Sequence, residues 1–233
     1  MKQTPAHSGF RRDPTAANSE AVEDYAKAIY SLQDGEGNVS ISALAQRLEV
    51  TPASASAMVR KLAELGLVTH ERYRGVRLTD AGRRLALEMV RHHRLLEAYL
   101  ADALGMPWDR VHDEAEVLEH ALSDELEALI AAKLGHPTRD PHGDPIPSAD
   151  LVIDEQPTQS LAALEPGATG VLVRISDSDP EILRYLADRG IGPGDAFAVV
   201  DKQPFDGPLF VRVGDAVHVL GGELAQAMRV QAA

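Results

Sequence analysis

One nine-residue stretch, His112-Asp113-Glu114-Ala115-Glu116-Val117-Leu118-Glu119-His120, constrains this chain more than any other. At about 100° per residue, helical spacing puts His112, Glu116, Glu119 and His120 within an arc of roughly 100°. Such a stripe should face a core, yet it carries nitrogen and oxygen donors that are costly to bury unless something satisfies them. A divalent cation satisfies both kinds. The chain has no cysteine, which excludes disulfides, thiolate zinc sites and iron–sulfur clusters. The donors are therefore His, Asp, Glu or Met, a set that favours harder cations.

A length of 233 residues with 44% hydrophobic and 4% aromatic content suits a helix-rich globular chain of two or three domains. No apolar run approaches the roughly 18 residues of a membrane span, and residues 1–20 lack the core of a signal peptide. The expectation is a cytoplasmic protein. The net charge of −13 argues against nucleic acid until its distribution is examined. Between Arg60 and Arg94 nine Arg or Lys face four Asp or Glu, whereas between Trp108 and Glu165 three basic residues face fourteen acidic ones. One region can approach phosphate while the other concentrates cations.

Residues 1–18 read as a polar tail. Ser19 is a good N-cap, and Val22, Tyr25, Ala26, Ile29, Tyr30 and Leu32 follow at helical spacing up to the Asp34-Gly35-Glu36-Gly37 turn. A short helix starts at Ser40, and a third runs from Pro52 to Leu65 with Thr51 as its cap. Gly66 closes it, and Val68–Arg72 and Val76–Leu78 read as a hairpin around Arg74-Gly75. Helix, turn, helix and basic hairpin, within residues 19–79, make a winged helix-turn-helix. Thr51, Ser54, Ser56, Ala57 and Arg60 would face double-stranded DNA, and Arg72, Arg74 and Arg77 would add wing charge. A helical hairpin with a solvated basic face is the weaker alternative.

Thr79 caps a helix running to about Leu104, with more apolar surface than one small domain needs. That points to a homodimer, whose two-fold symmetry suits a palindromic operator. His93 and Glu97 lie four apart on this helix, a metal-ligand spacing. The next helix starts near Trp108, and Ser123 caps another that ends at Gly135, giving a helical dimerisation and metal-binding region over 80–140. Residues 136–160, rich in Pro, Gly and Asp, read as an extended linker (141–160 between domains) with His136 and His142 solvated. Strands follow at Gly170–Ile175, Ala196–Val200, Leu209–Val213 and Ala216–Leu220, with one helix at Pro180–Arg189. These form a small all-β domain over 161–233.

Several of these motifs together resemble the diphtheria-toxin-repressor family of metal-dependent transcriptional repressors. They are Arg91-His92-His93-Arg94-Leu95-Leu96-Glu97, then Val111-His112-Asp113-Glu114-Ala115-Glu116, Glu119-His120 and Ser123-Asp124-Glu125. Gly143-Asp144-Pro145-Ile146-Pro147 and Leu186-Ala187-Asp188-Arg189-Gly190-Ile191-Gly192-Pro193-Gly194 belong to the same set. The resemblance covers residues 19 to about 230. It implies a mainly α chain with a winged helix-turn-helix, a helical dimerisation domain and a C-terminal SH3-like (FeoA-like) barrel. It also implies a primary metal site of Asp24, Glu116, Glu119 and His120, and an ancillary site of His93, Glu97 and His112. Asp179 and Glu181 lie nearest to the oxygen ligands that the SH3-like domain donates in iron-type members.

Iron-sensing members resemble one another in carrying Met at the Asp24 position and Cys at the Glu116 position. This chain has carboxylates at both, and hard oxygen donors suit Mn2+, with Fe2+ second. The pattern is similar to that of the family's manganese transport regulators. Those usually lack the SH3-like domain and carry Glu where this chain has Lys27. The expected function is a metal-activated, non-enzymatic repressor controlling metal transport and homeostasis genes. A metallohydrolase using the same cluster around an activated water, with Glu114 or Glu119 as base, is the alternative from another class. A helical dimer whose His and Glu side chains only hydrogen-bond is the third reading.

Overall fold

Hydrophobic spacing sets the first three helices, and side-chain caps start the second and third. The computed structural model describes residues 20–33, 37–71, 74–154, 156–205 and 207–233; Ser19, the Asp34–Glu36 turn and Arg72 lie outside them. The chain divides after Met89 into two units.

In the first unit, α1 (Glu20–Leu32) buries Val22, Ala26 and Ile29 completely. Ser40 caps α2 (Ile41–Arg47), its hydroxyl accepting from Ala43 N at 3.1 Å. Thr51 caps α3 (Pro52–Glu64), accepting from Ser54 N at 3.2 Å, with Pro52 in the first turn where no amide hydrogen is needed. These helices and the antiparallel pair β1 (Val68–Glu71) and β2 (Gly75–Leu78) share one core built on Ile29, Leu44, Val59, Leu62 and Val76. Val39 bridges to Val76 through two hydrogen bonds of 2.8 Å. Gly75 is required at the wing: its φ is 99°, and a Cβ there would run into the Val39 carbonyl. The structure thus has the winged helix-turn-helix that the sequence predicts.

The long α4 (Asp80–Asp102) runs on into the second unit, which also holds α5 (Val111–Leu118) and α6 (Asp124–Lys133). The His112–His120 stripe is not one helix. The α-helix stops at Leu118, and Glu119–Ala121 tighten into a 3-10 turn, which advances each residue by about 120° and turns Glu119 inward. Leu95, Leu96, Ala115, Leu122, Ile130 and Ile146 form the core of these helices.

Ile146 comes from the segment expected to be linker, and residues 139–147 are in fact packed. Arg139 bridges to Pro145, and one carboxylate oxygen of Asp140 accepts from His142 N and Asp144 N, both at 2.9 Å. His142, expected in solvent, is fully buried. Gly143 has φ 89°, and a Cβ there would run into the Val173 carbonyl.

The β part has strand order β3-β8-β4-β5-β6-β7, all antiparallel: β3 (Gln159–Ser160), β4 (Thr169–Ile175), β5 (Ala196–Lys202), β6 (Leu209–Val213), β7 (Ala216–Leu220) and β8 (Met228–Ala232). Bulges at Leu172/Arg174 and Val199/Asp201 supply local twist. α7 (Pro180–Ala187) and α8 (Gly222–Ala227) close over a core of Leu172, Ile175, Leu183, Leu186, Val211, Leu220 and Val230. Sequence reasoning did not anticipate β3, α8 or β8. The last alternates buried Met228 and Val230 with more exposed Arg229 and Gln231, a five-residue period-2 signal.

Candidate metal centre

Several ligand-type side chains of the second unit converge on α4. His93 and Glu97, one turn apart, are buried there at 7% and 1% exposure. Across from them α5 presents His112 and Glu116, and the following turn presents Glu119. His93 uses both nitrogens: Nδ1 lies 2.6 Å from Glu119 Oε2 and 3.9 Å from Glu116 Oε1, and Nε2 lies 3.0 Å from Glu97 Oε1. The same Nε2 is 3.1 Å from His112 Nδ1, with the two rings edge to face. His112 Nδ1 in turn is 3.3 Å from Glu97 Oε1 and 3.1 Å from Asp177 Oδ2. His93, Glu97, His112 and Asp177 bring four donor atoms within 4.8 Å of one another, and Glu97, Asp140 and His142 bring three.

His142 gives the clearest sign of what these donors are for. Its Nε2 contacts the Trp108 carbonyl at 2.8 Å, which places a ring hydrogen on Nε2 and turns Nδ1 toward Glu97. That nitrogen is buried with no hydrogen-bond partner among the described residues, and Glu97 Oε1 stands 3.8 Å away. A buried ring nitrogen without a hydrogen-bond partner, facing a buried carboxylate, is a position that a shared cation would satisfy.

Electrostatics agree. Burial alone would push the Glu97 carboxyl up, but hydrogen bonds from His112 and His93 reverse this and hold it far below the usual range. Asp140 goes the other way: burial, then the charges of Glu97 and Asp144, raises its carboxyl well above the ordinary value. The surroundings thus favour the ionised form of Glu97 and the neutral form of Asp140, a balance that added positive charge would shift. His112, hydrogen-bonded to Asp177 and Glu97, is pushed up to about 10. Burial would likewise raise Asp177, but its bond to His112 lowers it. Oxygen and imidazole donors with no sulfur fit a hard divalent cation such as manganese or ferrous iron.

Glu116, Glu119 and His93 form a further converging group. Glu119 is fully buried, Glu116 is 39% exposed at its side chain, and His120 Nε2 lies 3.8 Å from Glu119 Oε1. Asp24 is half-buried on α1 of the first unit. Neither Asp179 nor Glu181 reaches the cluster, for a physical reason. Asp179 is spent as the N-cap of α7, accepting from Glu181 N at 2.8 Å, and Glu181 is exposed. Asp177, two residues earlier, is the carboxylate that lies with His93, Glu97 and His112. Sequence reasoning missed Asp177, Asp140 and His142, because Asp140-Pro141-His142-Gly143-Asp144 and Ser176-Asp177-Ser178-Asp179-Pro180 read as turns. An Asp-x-His spacing beside the His/Glu helices was the available signal.

In the first unit, Thr51, Ser54, Ala57 and Arg60 are exposed on α3 and its cap, and Ser56 is half-buried. Arg74 is exposed at the wing and Arg77 half-buried. Ala55, Val59 and Leu62 face the core. Hydroxyls at a helix start beside a basic hairpin suit contact with a phosphate backbone.

Three family models match in order. They are the iron-dependent repressor N-terminal DNA-binding domain over residues 18–76, the iron-dependent repressor metal-binding and dimerisation domain over 79–148, and the FeoA domain over 159–232. The iron-dependent repressor IdeR of Mycobacterium tuberculosis is 32% identical over 225 residues, covering 91% of this chain and 97% of that protein. The diphtheria toxin repressor of Corynebacterium efficiens is 33% identical over 223 residues, with 91% and 95% covered. A solved manganese-dependent transcriptional repressor, in complex with manganese, superposes with TM-score 0.84 at 49% identity, covering 91% of this chain and 99% of that one.

Proposed function

The chain belongs to the iron-dependent repressor family that includes the diphtheria toxin repressors, and on that premise we propose a manganese-responsive regulator that binds palindromic operator DNA as a metal-activated homodimer. It is a metal-dependent transcriptional regulator with Fe2+ as the second candidate cofactor, and it would control metal transport and homeostasis genes from the cytoplasm. Among the described residues no helix is long and apolar enough to cross a membrane. The hydrolase alternative finds no support, because the proteins it matches are repressors.

The observation that carries the reading is the sulfur-free donor set around buried Glu97, with an orphaned His142 Nδ1. We assign an ancillary site to Glu97, His93, His112 and Asp177, with Asp140 and His142 on its far side. The primary site is assigned to Glu116, Glu119 and His120, with Asp24 added on the sequence pattern. When bound, a divalent cation supplies the positive charge that lets these carboxylates remain ionised together. Asp24 belongs to the unit that carries the DNA-facing α3, and the other primary donors to the unit that carries the dimerisation domain. Holding both sets of donors at once favours one spacing of the recognition helices, by the difference in affinity between the two arrangements.

Val117, Leu118, Leu126 and Leu129 on α5 and α6 are 75%, 40%, 48% and 60% exposed, and they supply the apolar patch of a two-fold interface. Binding to a palindromic promoter fragment, measured against manganese, iron and zinc at fixed salt, tests the reading. Manganese should give the strongest response, and binding indifferent to every metal would overturn it.

A further inference from the structure

Beside the proposed primary donors lies a hydrogen-bonded chain of side chains that are not themselves among the proposed ligands. His92, next to His93 on α4 but turned to another face, is fully buried. Its Nδ1 lies 3.2 Å from the backbone carbonyl of Glu119, and its Nε2 lies 3.1 Å from Glu127 Oε2 on α6. The other carboxylate oxygen of Glu127 accepts from Arg91 Nε at 2.6 Å. Arg91 also donates to the Pro147 carbonyl at 2.5 Å, at the end of the segment that carries Asp140 and His142. Burial would raise the Glu127 carboxyl, but its bonds to His92 and Arg91 hold it below the ordinary value.

The turn that this chain grips needs an external anchor. α5 ends at Leu118, and Glu119–Ala121 form only a single 3-10 turn, whose i→i+3 hydrogen bonds have poorer geometry than those of an α-helix. Yet that turn presents two proposed ligands, Glu119 and His120. His92 grips its first carbonyl from within the core, and Glu127 sets which way the His92 ring faces. Leu126 and Leu129, exposed on the same helix as Glu127, point to the surface proposed for dimerisation.

We propose that Glu127 and His92 are positioning residues for the primary metal site, acting through the Glu119 carbonyl to hold Glu119 and His120 in register. The inference rests on the metal-site reading above. Outer-shell partners that orient ligands commonly change metal affinity by about tenfold to a hundredfold without touching the metal.

The experiment uses the full chain and manganese, with His92→Phe, Glu127→Leu and Glu127→Gln. Isothermal titration counts and ranks all sites. The fluorescence of Trp108, the sole tryptophan, reports the ancillary cluster separately, because its ring stacks on His142 with centroids 5.9 Å apart. Glu127→Leu and His92→Phe should weaken one class of site about tenfold to a hundredfold and leave the Trp108-reported midpoint within about twofold. Glu127→Gln should recover to within about threefold, since its carbonyl can accept from Arg91 and its amide can donate to His92. Unchanged affinities in folded variants would overturn the inference, and so would an equal loss of both classes with no rescue by Gln, which marks a merely structural role. A wild-type chain that takes up no manganese would overturn the metal-site reading itself.

Discussion

The two donor groups of the second unit are built in opposite ways. Glu116, Glu119 and His120 fall within five consecutive residues, on one helix end and the turn after it. Glu97, Asp140, His142 and Asp177 come from a helix, a packed segment and the loop after β4, and all but Asp177 are buried. The first group is local and partly open to solvent at Glu116. The second is assembled by the tertiary fold and already carries strong internal electrostatics. A half-open side chain such as Glu116 can change partners at little cost, whereas buried charged groups must be satisfied at all times and so bear on stability.

That contrast breaks first at Glu97. It is 1% exposed and faces His93, His112 and His142, so Glu97→Ala leaves buried partners uncompensated and should cost about 3–5 kcal/mol of metal-free stability. Glu116→Ala, on a half-open side chain, should cost less than about 1 kcal/mol. Thermal and urea melts of the metal-free proteins compare them, and equal losses would mean that the two groups do not differ as described. Asp24→Ala should then remove about a hundredfold, roughly 2.8 kcal/mol, of the manganese-dependent gain in operator affinity, with the fold intact. Operator titrations with and without manganese read this directly, and an unchanged metal dependence would sink the idea of a shared site.

The same contrast explains what sequence could reveal. Helical periodicity, caps such as Thr51 and Ser123, and the wing are local signals, so the helix-turn-helix and the α4–α6 core were legible. So was the local donor group, apart from the break at Leu118, where a 3-10 turn replaces α-helix without changing residue type. The buried group was half legible: His93, Glu97 and His112 sit on helices, whereas Asp140, His142 and Asp177 lie in segments rich in Pro, Gly, Ser and Asp. There the chemistry of turns and the chemistry of ligands use the same residues, and only burial separates them. Asp179 shows the ambiguity, since it lies two residues from Asp177 and caps a helix instead. β8 escaped because five residues of alternation next to a chain end carry little weight until β3 and β4 are seen on either side.

Selectivity sharpens the contrast next. Glu116 contributes a hard oxygen to the open group, so Glu116→Cys replaces one hard donor by a soft one while the buried group stays as it is. Activation should shift toward iron and later metals by about tenfold, or 1.4 kcal/mol, in the ratio of manganese to iron concentrations needed for half-maximal operator binding. An unchanged ratio would mean that selectivity resides in the buried group.

The smallest effect expected is one of pH, and it belongs to the buried group. In the metal-free protein His112 is raised from an ordinary value of 6.5 to about 10. Its contribution to stability is therefore complete below about pH 6.5 and is lost as the pH climbs toward 10. Asp140, raised by burial and by Glu97 and Asp144, acts in the same direction, because its neutral form is the one the fold prefers. Glu97 and Asp177 are lowered, so their contributions are present above the ordinary carboxylate range and disappear as the pH falls through it. The metal-free melting temperature should thus fall as the pH drops below the ordinary carboxylate range, and fall again as the pH climbs above about 6.5 toward 10. Manganese takes the deprotonated forms of these ligands, so saturating metal should flatten the decline between about pH 6.5 and 8.5 and leave the acid side in place. Melting curves across that range with and without manganese check this. Parallel alkaline declines in the two series would mean that His112 and Asp140 do not take part in metal binding, and would leave the open group as the candidate site.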